Sequence, residues 1–242
     1  MLLRIIFCLV LLTWLPGMAL AFLSELEFCV AHYQIYTMAL LGVLSYLPVH
    51  YLFVIKRPFV SIFEHELTHM IFAVLFFQRV SGFVATEGRG GVVSYRGRKG
   101  FAALVDAFIA LAPYVFPTAT VILALMAPLL LPYRSAVFFL IGFTFAFHLL
   151  TGVAETATAV TDRKFTDATG HHTQSDFYAP GWWYSIVHIP FFLLSFHGLV
   201  LAQMRGGYSG SWWFIKIFIL LDFQFLEKYT LQLYHFLSHV TF

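Results

Sequence analysis

Residues 59–78 read Phe-Val-Ser-Ile-Phe-Glu-His-Glu-Leu-Thr-His-Met-Ile-Phe-Ala-Val-Leu-Phe-Phe-Gln. The stretch has the roughly 20 residues that a membrane helix needs. Both of its ends are apolar, yet its centre carries Glu64, His65, Glu66 and His69. A charged side chain at the middle of a bilayer costs about 2.5–3.5 kcal/mol on insertion scales, so such groups are expected to be paired or ligated. The reading is a membrane helix built around a polar centre, closed off from the preceding apolar run by Lys56, Arg57 and Pro58.

The rest of the chain agrees. Of its 242 residues, 60% are hydrophobic, 19% aromatic and 11% charged, where a soluble domain has about 45–50% apolar and about 25% charged residues. No window is polar enough for a separate water-soluble unit, so residues 22–210 are expected to form one membrane-embedded domain. A formal charge of +2 with no Lys/Arg tract excludes nucleic acid as a partner. The two cysteines, Cys8 and Cys29, have no metal-ligand spacing.

Outward from residues 59–78, apolar helices are expected over about 30–55, 101–131, 136–153 and 182–203. Residues 1–21 fit either a secretory signal peptide ending at Ala19-Leu20-Ala21 or a first membrane helix. Pro113 and Pro117 make the 101–131 region one kinked span or two half-helices. The last segment, 212–236 within a C-terminal unit of 211–242, holds Lys216, Asp222, Glu227 and Lys228, so a helix lying at the interface is favoured over a spanning one. Valine-rich runs Val80–Thr86 and Gly91–Tyr95 flank Glu87-Gly88-Arg89-Gly90 and read as a β-hairpin. The expected fold class is therefore an all-α polytopic membrane protein of five to seven hydrophobic helices, with a small β-hairpin after the 59–78 helix. The basic residues are too evenly shared to set its orientation.

The chemistry lies in His65-Glu66-Leu67-Thr68-His69, an H-E-x-x-H motif. On a helix, His65 and His69 project from one face and can hold a single Zn²⁺, while Glu66 stands beside the metal as a general base for a water. Glu64 points elsewhere and reads as a hydrogen-bond partner of a neighbouring helix. A catalytic zinc takes three protein ligands and leaves one position open. Candidates for the third are Asp106, His148, Glu155, Asp162, Asp176 and His188. For Asp176 the alternative role is a helix N-cap. His148 and Glu155, two turns apart on one helix, could instead orient the ligands or relay a proton. His171 and His172, near Asp167, read as a solvated loop. Trp182, Trp183, Tyr184, Trp212 and Trp213 read as interfacial belts.

These residues together resemble the site-2 protease family of intramembrane zinc metallopeptidases. The closer similarity is to a compact bacterial subgroup, over about residues 59–203. It is carried by the H-E-x-x-H, by Ala112-Pro113-Tyr114-Val115-Phe116-Pro117, by Phe147-His148-Leu149 and by Gln174-Ser175-Asp176. The family's usual Asp-Gly pair is absent. The resemblance implies zinc held by His65, His69 and Asp176, with Glu66 catalytic, and a multi-pass protein of a bacterial plasma membrane. It also implies a membrane protein or peptide as the substrate, whose unwound segment could pair with the strand Gly91, Val92, Val93, Ser94 and Tyr95. The same hairpin could serve simply to bring Arg96, Arg98 and Lys99 to lipid phosphates. Two other functions compete: a non-catalytic zinc protein that binds or presents membrane clients, which would close the fourth coordination position, and a haem-bearing electron carrier, which His65 and His69 on one helix face suit poorly.

Overall fold

The computed structural model describes residues 2–87, 90–96, 102–161, 164–166 and 172–240. Among these the chain is mostly helical, with seven α-helices and two small antiparallel hairpins. Four stretches are long and apolar enough to cross a membrane: Leu2–Ala31, Tyr33–Val54, Leu131–Thr161 and Trp182–Gln232.

Helix α1 (Leu2–Ala31) runs unbroken through the expected boundary near Ala21 and through Glu25. Ala21 is fully buried and packs in one core with Cys8, Leu11 and Met18. The first break comes at His32, whose ψ of 39° leaves the helical region. Glu25 reads in sequence as a polar boundary. Here it is 1% exposed and its Oε1 meets Arg205 Nη1 at 3.1 Å. A long-range partner has overridden the local signal, because a paired carboxylate can stay inside a helix bundle where a lone one cannot.

Helix α2 (Tyr33–Val49) ends in a π-helical turn, His50–Val54. It packs on α6 (Arg134–Thr161) through two reciprocal glycine contacts. A β-carbon on Gly42 would overlap the Phe139 carbonyl, and one on Gly142 would overlap the Ala39 carbonyl. Small residues let the two backbones touch, as in helix pairs that lack a water-driven hydrophobic force.

Helix α3 (Phe59–Leu75) carries the H-E-x-x-H. Its 17 residues rise only about 25 Å, shorter than expected. The chain turns at Phe77, which has a positive φ of 57°, into β1 (Arg79–Thr86) and β2 (Gly90–Arg96), the hairpin expected from sequence. Its turn residues Gly88 and Arg89 lie outside the described residues, as do Arg98, Lys99, Asp162, Asp167 and His171.

The 101–131 region resolves into two half-helices, α4 (Ala102–Val115) and α5 (Thr118–Met126), bent by 79°. Pro117 has no N–H and disfavours helical geometry at Phe116, so the helix must stop there. After α6 comes a second hairpin, β3 (Lys164–Thr166) and β4 (His172–Gln174), so that His172, read as part of a solvated loop, stands in a strand.

The last helical stretch, α7 (Trp182–Val240), is two arms divided by non-helical Gly206 and Gly207, the latter with φ 60°. The second arm doubles back on the first. Gly210 sits against the Ala202 carbonyl, Phe214 fills the space beside Gly198, and Ser211 Oγ donates to Gln203 Oε1 at 2.5 Å. Asp222 then packs against Gly17 of α1. Of the four charges that argued for an interfacial helix, Lys216, Glu227 and Lys228 keep to the exposed side and only Asp222 is buried. The small residues Gly210 and Gly198 let the two arms approach closely.

Candidate metal centre

The helical spacing on α3 brings His65 and His69 together, and their neighbours decide what the imidazoles can do. His65 Nδ1 donates to Glu155 Oε2 of α6 at 2.8 Å, and His69 Nδ1 donates to the Ile109 carbonyl of α4 at 2.7 Å. With both Nδ1 hydrogens so used, each Nε2 presents a lone pair. The two Nε2 atoms stand 3.1 Å apart, and Asp176 Oδ2 lies 3.4 Å from one and 3.2 Å from the other. Two imidazole nitrogens and a carboxylate oxygen thus converge on one point, where a cation, be it a metal ion or a proton shared with an imidazole, can sit among them.

The separations fit such an ion. Donors at about 2.0–2.1 Å in a tetrahedral sphere stand roughly 3.3 Å from one another. Two imidazoles and a carboxylate form a donor set suited to zinc. Among the described residues, His65, His69 and Asp176 are the one group of three that converges in this way.

Asp176 stands in the turn that precedes α7, as the Gln174-Ser175-Asp176 reading expects. Ser175 fixes this turn by donating its hydroxyl to the Ala159 carbonyl at 3.0 Å, and Ser185 donates to the Phe177 carbonyl at 2.6 Å. Arg4 ties the far side of the turn down, giving 3.0 Å to the Pro180 carbonyl and 2.7 and 3.0 Å to the Ala103 carbonyl. Burial alone would raise the Asp176 pKa, but His69 and His65 outweigh it and hold the carboxyl well below its ordinary value. It is therefore ionised at neutral pH, as a metal ligand must be.

The other candidates separate. Glu155 is the partner that orients His65, the carboxylate–imidazole arrangement common behind metal ligands. His148 does not reach the three donors. It is 2% exposed, and its Nδ1 faces Glu64 Oε1 at 4.0 Å. Glu64 in turn accepts from the Thr118 backbone N–H at the start of α5, so the break at Pro117 supplies the partner that a carboxylate on that face of α3 needs. His188 is held by Tyr184 Oη at 3.1 Å among Phe108 and Phe192. Asp106 also stands outside the group of three.

The site opens into a cleft of about 660 Å³. Its lining includes Glu66, the π-turn residues His50 and Val54, Tyr114 of α4, Thr151 and Ala154 of α6, and Gly91, Val92, Val93 and Tyr95 of β2. Ser94 is not part of that lining. The Ser94 carbonyl accepts from Ser81 across the hairpin. Burial, with Asp106 and Asp176 nearby, pushes the Tyr95 phenol up to about 12. Glu66 is 7% exposed and lies directly under Gly91.

Sequence reasoning did not single out Tyr114 or the Ile109 carbonyl. The Tyr114 ring meets His65 edge-on at 5.7 Å and brings a phenol to the cleft. Its place in the Pro-Tyr-Val-Phe-Pro run was the available signal. A backbone carbonyl such as that of Ile109 leaves none.

The chain matches no protein-family model, no curated protein and no solved structure.

Proposed function

We propose that this chain is an integral membrane zinc metallopeptidase of the site-2 protease kind, hydrolysing a peptide bond in or near the membrane segment of a protein substrate. The observation that carries the reading is the convergence of His65 Nε2, His69 Nε2 and Asp176 Oδ2 at 3.1–3.4 Å beside an unligated Glu66, at the wall of an open cleft. Three donors and an open side suit catalysis, whereas a structural zinc closes its fourth position and needs no neighbouring base.

His65, His69 and Asp176 would hold the metal. Once bound, zinc would supply a Lewis acid and a water acidified toward a pKa of about 7. Glu66 accepts the proton of the attacking water and returns it to the leaving amine. Glu155 and the Ile109 carbonyl hold the two imidazoles in the tautomer that leaves Nε2 free. Tyr114 offers its O–H to the carbonyl oxygen as charge grows there. The exposed apolar side chains of α1, α2 and α6, with Trp14 of α1 and Tyr33 of α2 among the exposed aromatics, suit lipid.

The test is to purify the wild type and Glu66→Gln, then measure metal content and cleavage of membrane-segment peptides side by side. One zinc per chain in both, with cleavage lowered at least about 10²–10⁴-fold in the variant, is the expected result. A metal-loaded wild type that cleaves no membrane peptide refutes the assignment.

A further inference from the structure

Two consecutive glycines open β2, and they answer different demands. Gly90 has a φ of 74°, the left-handed region that favours glycine, with open space where a β-carbon would be. Gly91 has no such backbone requirement. A β-carbon there would overlap Glu66 Cγ and stand 2.6 Å from Cδ and 2.7 Å from Oε1.

Side chains alternate along a strand, so Gly91, Val93 and Tyr95 share one face of β2. Val93 and Tyr95 line the cleft, and Tyr95 packs against Phe72 and Ile109 between α3 and α4. At Gly91 the corresponding space is taken by the Glu66 carboxyl itself. Gly91 is paired with Ala85 of β1 and is thereby held in the hairpin. The bare backbone of β2 therefore covers Glu66 in the wall of the cleft that His65 and His69 also line.

We propose that Gly91 is a positioning residue for the general base: the slot left by its absent side chain sets where the Glu66 carboxyl stands over the metal centre. This rests on the peptidase reading and adds to it a second role for the hairpin, independent of whether its edge holds substrate. A methyl group at 91 must push Glu66 off its place, because the opposing atoms belong to the carboxyl end of a side chain already 7% exposed and enclosed. Shortening Glu66 to aspartate frees the volume of a methylene in that same slot.

The experiment compares wild type, Gly91→Ala, Glu66→Asp and the double variant, with Gly82→Ala as the hairpin control. A β-carbon on Gly82 makes only ordinary contact, 3.6 Å from Ser94 Cβ. Metal content, kcat, KM and melting temperature are measured for each. Gly91→Ala is expected to keep its metal and its KM while kcat falls more than about 10-fold. In the Glu66→Asp background the same methyl is expected to cost less than about 3-fold. The melting temperature should fall with Gly91→Ala in the wild-type background and recover in the double variant, and Gly82→Ala should change none of these.

An equal fold-loss of kcat in both backgrounds, or a Gly91→Ala variant with more than half the wild-type rate, overturns the proposal. So does loss of metal from Gly91→Ala. A wild type that binds metal but cleaves nothing overturns the peptidase reading instead, and the four melting temperatures still report whether residue 91 and Glu66 compete for one space.

Discussion

Two groups of ionisable side chains lie within the apolar bundle, at opposite ends of α1. One is the cluster of His65, Glu66, His69, Glu155 and Asp176, near which Arg4 is anchored. The other is the Glu25–Arg205 pair, 21 residues further along the same helix, about 30 Å away. By composition they are alike, since each places charge in an apolar segment. Their bonding separates them. Glu25 meets a cation directly through Oε1, and Arg205 also stacks over Phe28 at 4.6 Å, so the charge is paired within the chain. At the other end the acceptors face one another and a cleft. A buried charge that finds its opposite within the chain holds the fold together, whereas buried acceptors that converge on each other leave a place for something from outside.

The sharpest way to break this comparison is to remove one member of each group. Asp176→Ala is expected to abolish metal retention and with it cleavage, while leaving the melting temperature of the metal-free protein nearly unchanged. Arg205→Ala should do the reverse, costing about 3–5 kcal/mol of stability because Glu25 is left buried and unpaired, yet leaving one metal per folded chain. Metal analysis and unfolding in detergent check both. A stable, metal-free Arg205→Ala would erase the distinction between the two sites.

A smaller effect probes the support behind the ligands. Glu155→Gln keeps an acceptor for His65 Nδ1 but removes the negative charge, and should weaken metal affinity about 10–100-fold, measured by competition with a chelator. Smaller again, Arg4→Ala removes the bonds that tie the Asp176 turn to α1 and α4. The expected loss is about 1.5–3 kcal/mol of stability at most and a few-fold weaker metal affinity. Unchanged affinity would mean that Ser175 and Ser185 alone fix the turn.

How much of this could be read from the sequence depended on how far apart the cooperating residues lie. His65, Glu66 and His69 are one helical turn, so a period of 3.6 was enough. The hairpin was legible because its valines and turn glycines are local signals too. Asp176 stands 107 residues from His69, and no spacing rule reaches that far, so the residues alone left it one of six candidates and the family resemblance made it the first choice. The continuation of α1 past Ala21 and through Glu25 had no local sign, because the Arg205 that pairs with Glu25 is 180 positions away. The reversal of α7 had a local sign in Gly206-Gly207. What hid it was the charge count of 212–236, taken over the segment rather than over its faces. The fit of Glu66 beneath Gly91 had no sequence signature, since a glycine that makes room for another side chain reads the same as one that makes a turn.

The π-turn His50–Val54 gives the cleft wall a peculiar arithmetic. Such a turn carries one residue more than the α-helical turn it replaces, and here the surplus falls between Tyr46, whose hydroxyl meets His50 Nδ1 at 3.1 Å, and the wall residues Val54, Ile55 and Pro58. Deleting a single amino acid in this loop of helix would let regular winding resume, and everything downstream up to Pro58 would swing by about 100° around the axis. The width of the opening beside His65, His69 and Asp176 would thus follow one supernumerary peptide unit, a dimension that side-chain substitution cannot reproduce.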